Sequence, residues 1–136
     1  MEPDTYSSGS TLVSTFQVGR FTDGGASNLG WTTSIDGGRT WQHGFLPGTT
    51  VFADPPGTFK RATDPAVVYD ANHGVWMVVG LLSKASFGFN GDRIFVSRST
   101  DGGLTWGNPV TVQNASNGQD WDKSWIGCDN WPSSPN

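Results

Sequence analysis

Ser34–Trp41 reads SIDGGRTW, and Ser99–Trp106 reads STDGGLTW. One eight-residue phrase occurs twice, with its aspartates 65 positions apart, at Asp36 and Asp101. Serine, aspartate, glycine, threonine and tryptophan recur at the same five places: Ser34, Asp36, Gly38, Thr40 and Trp41, then Ser99, Asp101, Gly103, Thr105 and Trp106. Each has a mechanical use. An aspartate can accept hydrogen bonds from amides two or more residues on and hold a turn shut. The glycine supplies a positive φ where a side chain would clash. The hydroxyls tie the flanking segments together, and the tryptophan closes the phrase as a broad apolar plug, expected to be largely buried in both copies. Nothing in the phrase requires a substrate, so its reading is structural.

The repeat extends outward. SNLGWTTSIDGGRTW (27–41) lies on DRIFVSRSTDGGLTW (92–106), with Leu29 on Ile94 and Ser34 on Ser99. Each copy reads as strand, fixed turn, second strand. The remaining apolar runs have strand periodicity. TLVSTFQV (11–18) puts Leu12, Ser14, Phe16 and Val18 on one face, and DPAVVYD (64–70) is short and bounded by turn residues. GVWMVVGLL (74–82) is nearly continuous, as in a strand covered on both faces. LTWGNPVTV (104–112) contains Pro109, which demotes it to an edge or broken strand. DGG, PG, DANHG and NGD separate the runs. No stretch of ten or more residues has a 3.6-residue period with plausible caps. The chain is therefore expected to be all-β, and self-similarity at this spacing indicates units that cannot bury their faces alone.

Composition agrees. The chain has 136 residues, 19 glycines and 8 prolines, with 7 tryptophans and 8 phenylalanines to build a core. Twelve acids and eight bases leave a net charge of −4, with no basic stripe for nucleic acid. Glu2 is the only glutamate, and an aspartate-dominated acid set suits turns rather than helices. Cys128 is the only cysteine, so no internal disulfide can form. Its expected role is that of a small buried hydrophobe. No apolar run is long enough to be a membrane-spanning helix, and MEPDTYSSGS lacks the basic start and apolar core of an export signal.

The pattern Ser-x-Asp-x-Gly-x-Thr-Trp resembles the Asp-box, or BNR repeat, of the sialidase-like β-propellers. In that family the box closes the hairpin between the third and fourth strands of a blade, on the rim away from the active site. FQVGRFTDGG (16–25), FKRATDPAVVYD (59–70) and DKSWIGCDN (122–130) are similar to segments of bacterial exo-sialidase-like BNR proteins. The resemblance implies four-stranded antiparallel blades: one over 1–60, a second over 61–113 and the start of a third over 114–136. A closed ring takes roughly four to eight blades. The chain is then a piece of a longer propeller, or several copies complete the ring through open blade edges as a homo-oligomer. CDNWPSSPN (128–136) reads as a loop with no strand after it, which favours the piece.

Inner strands of such blades begin near the central axis, so polar residues at their starts are the site candidates. Arg61 and Asp64 are the catalytic candidates. Arg20, Asp122, Lys123 and Asp129 are candidates for substrate binding. An arginine can fork onto the carboxylate of an acidic sugar; alternatively, Arg61 and Asp64 form an ion pair that pins a strand entrance. For Asp122 with Lys123 the commoner reading is a solvated turn. Sialidases of this family use three arginines, a tyrosine–glutamate nucleophile pair and an aspartate acid/base. Here the only glutamate is Glu2, and the only tyrosines are Tyr6 and Tyr69. Twelve acids permit a two-carboxylate glycosidase pair somewhere, a weak signal. His43 and His73 stand alone, no calcium-loop spacing exists, and no metal or cofactor is expected. Asn114–Ser116 matches a glycosylation sequon by pattern only.

The resemblance thus implies a carbohydrate-recognition or scaffold fragment, inactive alone, with a sialic-acid-type glycan as the suggested partner and an extracellular location by family. The alternatives are an exo-sialidase-type glycoside hydrolase completed by the longer protein or an oligomer, and a protein-interaction propeller.

Overall fold

A computed structural model describes residues 2–116 and 118–133. It contains eight β-strands, and no helix among the described residues. The strands are β1 (Asp4–Ser8), β2 (Thr11–Arg20), β3 (Ala26–Ser34), β4 (Gln42–Phe45), β5 (Arg61–Asp70), β6 (Val75–Ser83), β7 (Arg93–Ser99) and β8 (Val110–Asn114). All named pairs are antiparallel. β1 to β4 form one four-stranded meander, and β5 to β8 form a second. Only Ala26 and Ala62 pair across the two, so the meanders share almost no ladder. Their first strands nevertheless run close together, because the Val67 amide donates to Asp4 Oδ2 at 2.8 Å.

What joins the meanders is side-chain packing. Val13, Leu29 and Trp31 of the first lie in one apolar cluster with Val67, Trp76, Val78, Phe95 and Trp106 of the second. The register explains how β2 contributes. The phase that reads as apolar, Leu12–Phe16–Val18, is only half-buried, whereas Val13, Thr15 and Gln17 are buried. The buried phase can be polar because its groups are satisfied: Thr15 donates to the Gly30 carbonyl at 3.1 Å, and Gln17 Nε2 donates to Thr63 Oγ1. In each meander one cross-strand partner is a glycine that makes room for a phenylalanine. Phe16 lies opposite Gly30, and Phe95 lies opposite Gly80. A Cβ at Gly30 would sit 2.6 Å from the Phe16 ring, and one at Gly80 would sit 2.9 Å from the Phe95 ring.

The two octapeptides close the β3–β4 and β7–β8 connections with the same hydrogen bonds. Ser34 Oγ donates to Asp36 Oδ1 at 2.8 Å, and Ser99 Oγ to Asp101 Oδ1 at 2.7 Å. The amides of Arg39 and Thr40 donate to Asp36 at 3.0 and 2.9 Å. Those of Leu104 and Thr105 donate to Asp101, both at 3.0 Å. Thr40 and Thr105 add their hydroxyls at 2.6 and 2.5 Å. Gly38 and Gly103 have φ of 89° and 82°, the left-handed region their role requires.

These bonds set the acid response. The Thr40 hydroxyl, then the Thr40 amide and Ser34, hold the Asp36 carboxyl at about 2. Burial acts to raise Asp101, but Thr105 and Ser99 overcome it and hold that carboxyl also at about 2. Both lie below the unfolded value of about 3.9, so their contribution to stability is complete above about pH 4 and is lost as pH falls toward 2. Chemical denaturation at a series of pH values should show stability dropping across that window. Asp36→Asn with Asp101→Asn should flatten the drop.

The copies differ in one respect that corrects the expectation for the tryptophans. Trp106 is 8% exposed, whereas Trp41 is 47% exposed. The second octapeptide seats on the first meander: Thr33 Oγ1 donates to the Gly103 carbonyl at 2.8 Å, and a Cβ at Gly103 would lie 2.8 Å from Val13. The first octapeptide has no such seat: at Gly38, the counterpart of Gly103, an added Cβ would meet within 4 Å only the octapeptide's own Trp41 ring, at 3.8 Å. Trp41 is therefore not the buried wedge that its sequence context implies. β8 begins immediately after Pro109 and is exposed throughout, as an edge strand should be. β1 has no clear sequence signal, since DTYSS is polar and short.

Candidate functional site

Strand direction sorts the connections to two ends of the sheet. The octapeptide hairpins lie at one end. At the other, β2 ends at Arg20, β3 starts at Ala26, β5 starts at Arg61 and β7 starts at Arg93, so connections 21–25, 46–60 and 84–92 come together there. Two neighbouring cavities open at this end.

The first is a polar cleft of about 400 Å³ lined by Glu2, Gln17, Arg20, Thr63, Asp64 and Asp122, with Phe89 at its side. Asp64 is one of its lining residues, 7% exposed, where the β5–β6 register slips between Thr63 and Ala66. Its φ of 50° is left-handed, a conformation that costs a non-glycine residue energy and must be held by its surroundings. Ser124 Oγ helps hold it, donating to the Asp64 carbonyl at 3.0 Å. On the carboxylate, Thr63 Oγ1 approaches Oδ1 at 3.4 Å. Arg20 is exposed, and no ion pair engages its guanidinium among the described residues.

The second cavity, of about 510 Å³, is mainly aromatic: Phe21, Phe52 and Phe87 line it with Lys60, Arg61 and Asp23. Arg61 lines this cavity and not the polar cleft, and is 4% exposed. Its fork closes on Asp23, Nη1 to Oδ1 at 2.7 Å and Nη2 to Oδ2 at 3.0 Å. Its remaining donors go to the carbonyls of Ala85 at 3.3 Å, Ser86 at 2.7 Å and Gly24. Arg61 does pin a strand entrance, but its partner is Asp23 rather than Asp64, and its five N–H groups are all engaged by the protein. The Arg61 guanidinium, followed by the Gly88 amide, holds the Asp23 carboxyl at about 2.

Of the sequence candidates, the fold therefore brings Arg20, Asp64 and Asp122 into one cleft and places Arg61 in the aromatic cavity instead. Lys123 and Asp129 are not part of the cleft lining. Lys123, with φ of 54°, lays its ammonium 5.7 Å from the centre of the Trp125 ring. Asp129 lies by the β5–β6 turn at the opposite end, where its carbonyl accepts from Asn72 and its carboxylate from the Trp131 amide. Sequence reading missed Gln17 and Thr63, which look like ordinary strand residues, and missed the aromatic cavity, whose phenylalanines come from three separate connections. Burial, then nearby Asp70, pushes the Cys128 thiol up, away from a reactive thiolate. Among the described residues, no group of three or more His, Cys, Asp or Glu is arranged to hold a metal ion.

No family model matches the chain, and no curated protein matches it in sequence. Solved structures do resemble it. The chain aligns with a Hadza microbial sialidase over 81% of its own length at a TM-score of 0.62 and 22% identity. It aligns with the native arabinanase of Bacillus subtilis over 89% at 0.54 and 18% identity. With the exo-beta-1,3-galactanase of Phanerochaete chrysosporium, the figures are 79%, 0.50 and 13%. The fold is propeller-glycosidase-like. At these identities the likeness is one of architecture. The chain spans between 25% and 40% of the length of these three structures.

Proposed function

We propose that this chain is a carbohydrate-recognition portion of a sialidase-like propeller. The two meanders are two blades, spanning 1–60 and 61–113, with 114–136 leading into a third, and the octapeptides are Asp-boxes. The polar cleft holds a glycan, its hydroxyls on the Glu2, Asp64 and Asp122 carboxylates and a sugar carboxylate on Arg20. The observation that carries this reading is the pairing of an uncommitted arginine, Arg20, with a strained buried carboxylate, Asp64, across one cleft. Arg20 suits a sugar carboxylate, and Asp64 suits sugar hydroxyls. Trp106 seated on the first blade is the template for the exposed Trp41 face, which a further blade covers.

The chain is inactive alone on this reading. Tyr6 and Tyr69 both pack on the Trp76 ring, at 6.1 and 4.8 Å between centres, rather than lining the cleft. A second reading, a hydrolase completed by the rest of a ring, draws on the three carboxylates of Glu2, Asp64 and Asp122 in one cleft.

A glycan array should show binding to sialylated or otherwise anionic glycans, weakened about tenfold or more by Arg20→Ala. A fluorogenic sialoside should not be turned over. Turnover abolished by Asp64→Asn would establish the second reading, and no glycan binding at all would favour a protein-interaction propeller.

A further inference from the structure

We propose that the aromatic cavity beside the cleft is a separate binding site for a planar aromatic group carrying an anionic substituent, such as an aryl carboxylate. Phe87 is 89% exposed and Phe52 is 59% exposed, yet both line the same concavity. Phe21 completes it, its ring centre 6.2 Å from that of Phe52 and inclined by 49°. Large apolar rings gathered around a hollow, rather than scattered singly, mark a place where something is bound. A volume of about 510 Å³ falls in the range of small-molecule pockets and suits a fused two-ring system. Rings on several sides offer both faces and edges to an aromatic guest.

The walls are built rather than incidental. Arg61 stacks on Phe21 with its guanidinium carbon 4.5 Å from the ring centre. The same side chain holds the carbonyls of Gly24, Ala85 and Ser86, and Asp23 Oδ2 accepts from the Gly88 amide at 2.7 Å. One ion pair thus fixes both connections that carry Phe21 and Phe87. It also neutralises itself, Asp23 against Arg61. Lys60 is exposed, lines the cavity and has no ion pair among the described residues, so the cavity carries one net positive charge. That charge selects an anion. The site does not depend on the glycan reading of the neighbouring cleft.

The test titrates the whole chain with 2-naphthoate, by calorimetry and amide chemical shifts, and repeats it with neutral 2-naphthol. Saturable binding with shifts at Phe52 and Phe87 is expected. Phe87→Ala, a surface change that leaves the circular dichroism unaltered, should weaken 2-naphthoate about tenfold. Lys60→Gln should weaken 2-naphthoate about fivefold while leaving 2-naphthol nearly unchanged. Non-saturating binding, or equal affinity in the Phe87 variant, would overturn the site. Equal losses for both ligands in the Lys60 variant would overturn the anion requirement.

Discussion

Trp106→Ala should destabilise the protein by about 3–5 kcal/mol, and Trp41→Ala by about 1 kcal/mol. The two tryptophans occupy the same place in the repeated octapeptide and make the same local bond, Nε1 to the carbonyl of Gly38 or Gly103 at 3.1 Å. Local chemistry therefore cancels in the comparison. What remains is the seat. Trp106 belongs to the apolar cluster that joins the meanders, and its removal leaves a cavity there. Trp41 is half in water and leaves none. Denaturant melts of the two variants measure the difference directly. Equal losses would mean that the octapeptides act only as local turns and that the packing between meanders is not what holds the chain together.

Arg61→Met should release both connections at the cavity end. The side chain is a buried hub with one carboxylate and three carbonyls as acceptors, and methionine keeps the length while removing every donor. Amide exchange over residues 22–25 and 85–88 should speed up by about tenfold or more, while Val78 and Phe95 in the core stay protected. Arg61→Lys should not restore the protection, because one ammonium cannot reproduce a fork with five donors. Unchanged exchange in both variants would show that the loops stand without Arg61 and would return it to the catalytic candidates. Acid should act in the same direction as the Met variant. Asp23 is held at about 2, so the pair is intact above about pH 4 and fails as the carboxyl takes a proton below that.

Much of the architecture could be read from residues alone, because the relevant forces act over a few positions. An aspartate followed by two glycines and a threonine makes its turn from hydrogen bonds within four residues, and all of them form in both copies. Alternation in 11–18, the continuous apolar run at 74–82 and the proline at 109 likewise report local conformation. The candidate site was legible only in part. Arg20, Asp64 and Asp122 were recognisable as polar residues flanking apolar runs. Their meeting in one cleft depends on how β2, β5 and the strandless segment carrying Asp122 come together, and β5 includes a slip beside Asp64 that no periodicity announces.

Local sequence therefore set most of the strands other than β1, the two pinned hairpins and the doubling of one unit. Tertiary structure alone decided which tryptophan is buried, which face of β2 meets the second meander, and that Arg61 is bound to Asp23 rather than to Asp64. The reason is range. A turn is closed by neighbours along the chain, whereas burial and ion pairing depend on groups brought together from distant positions, and two matching octapeptides meet different surroundings.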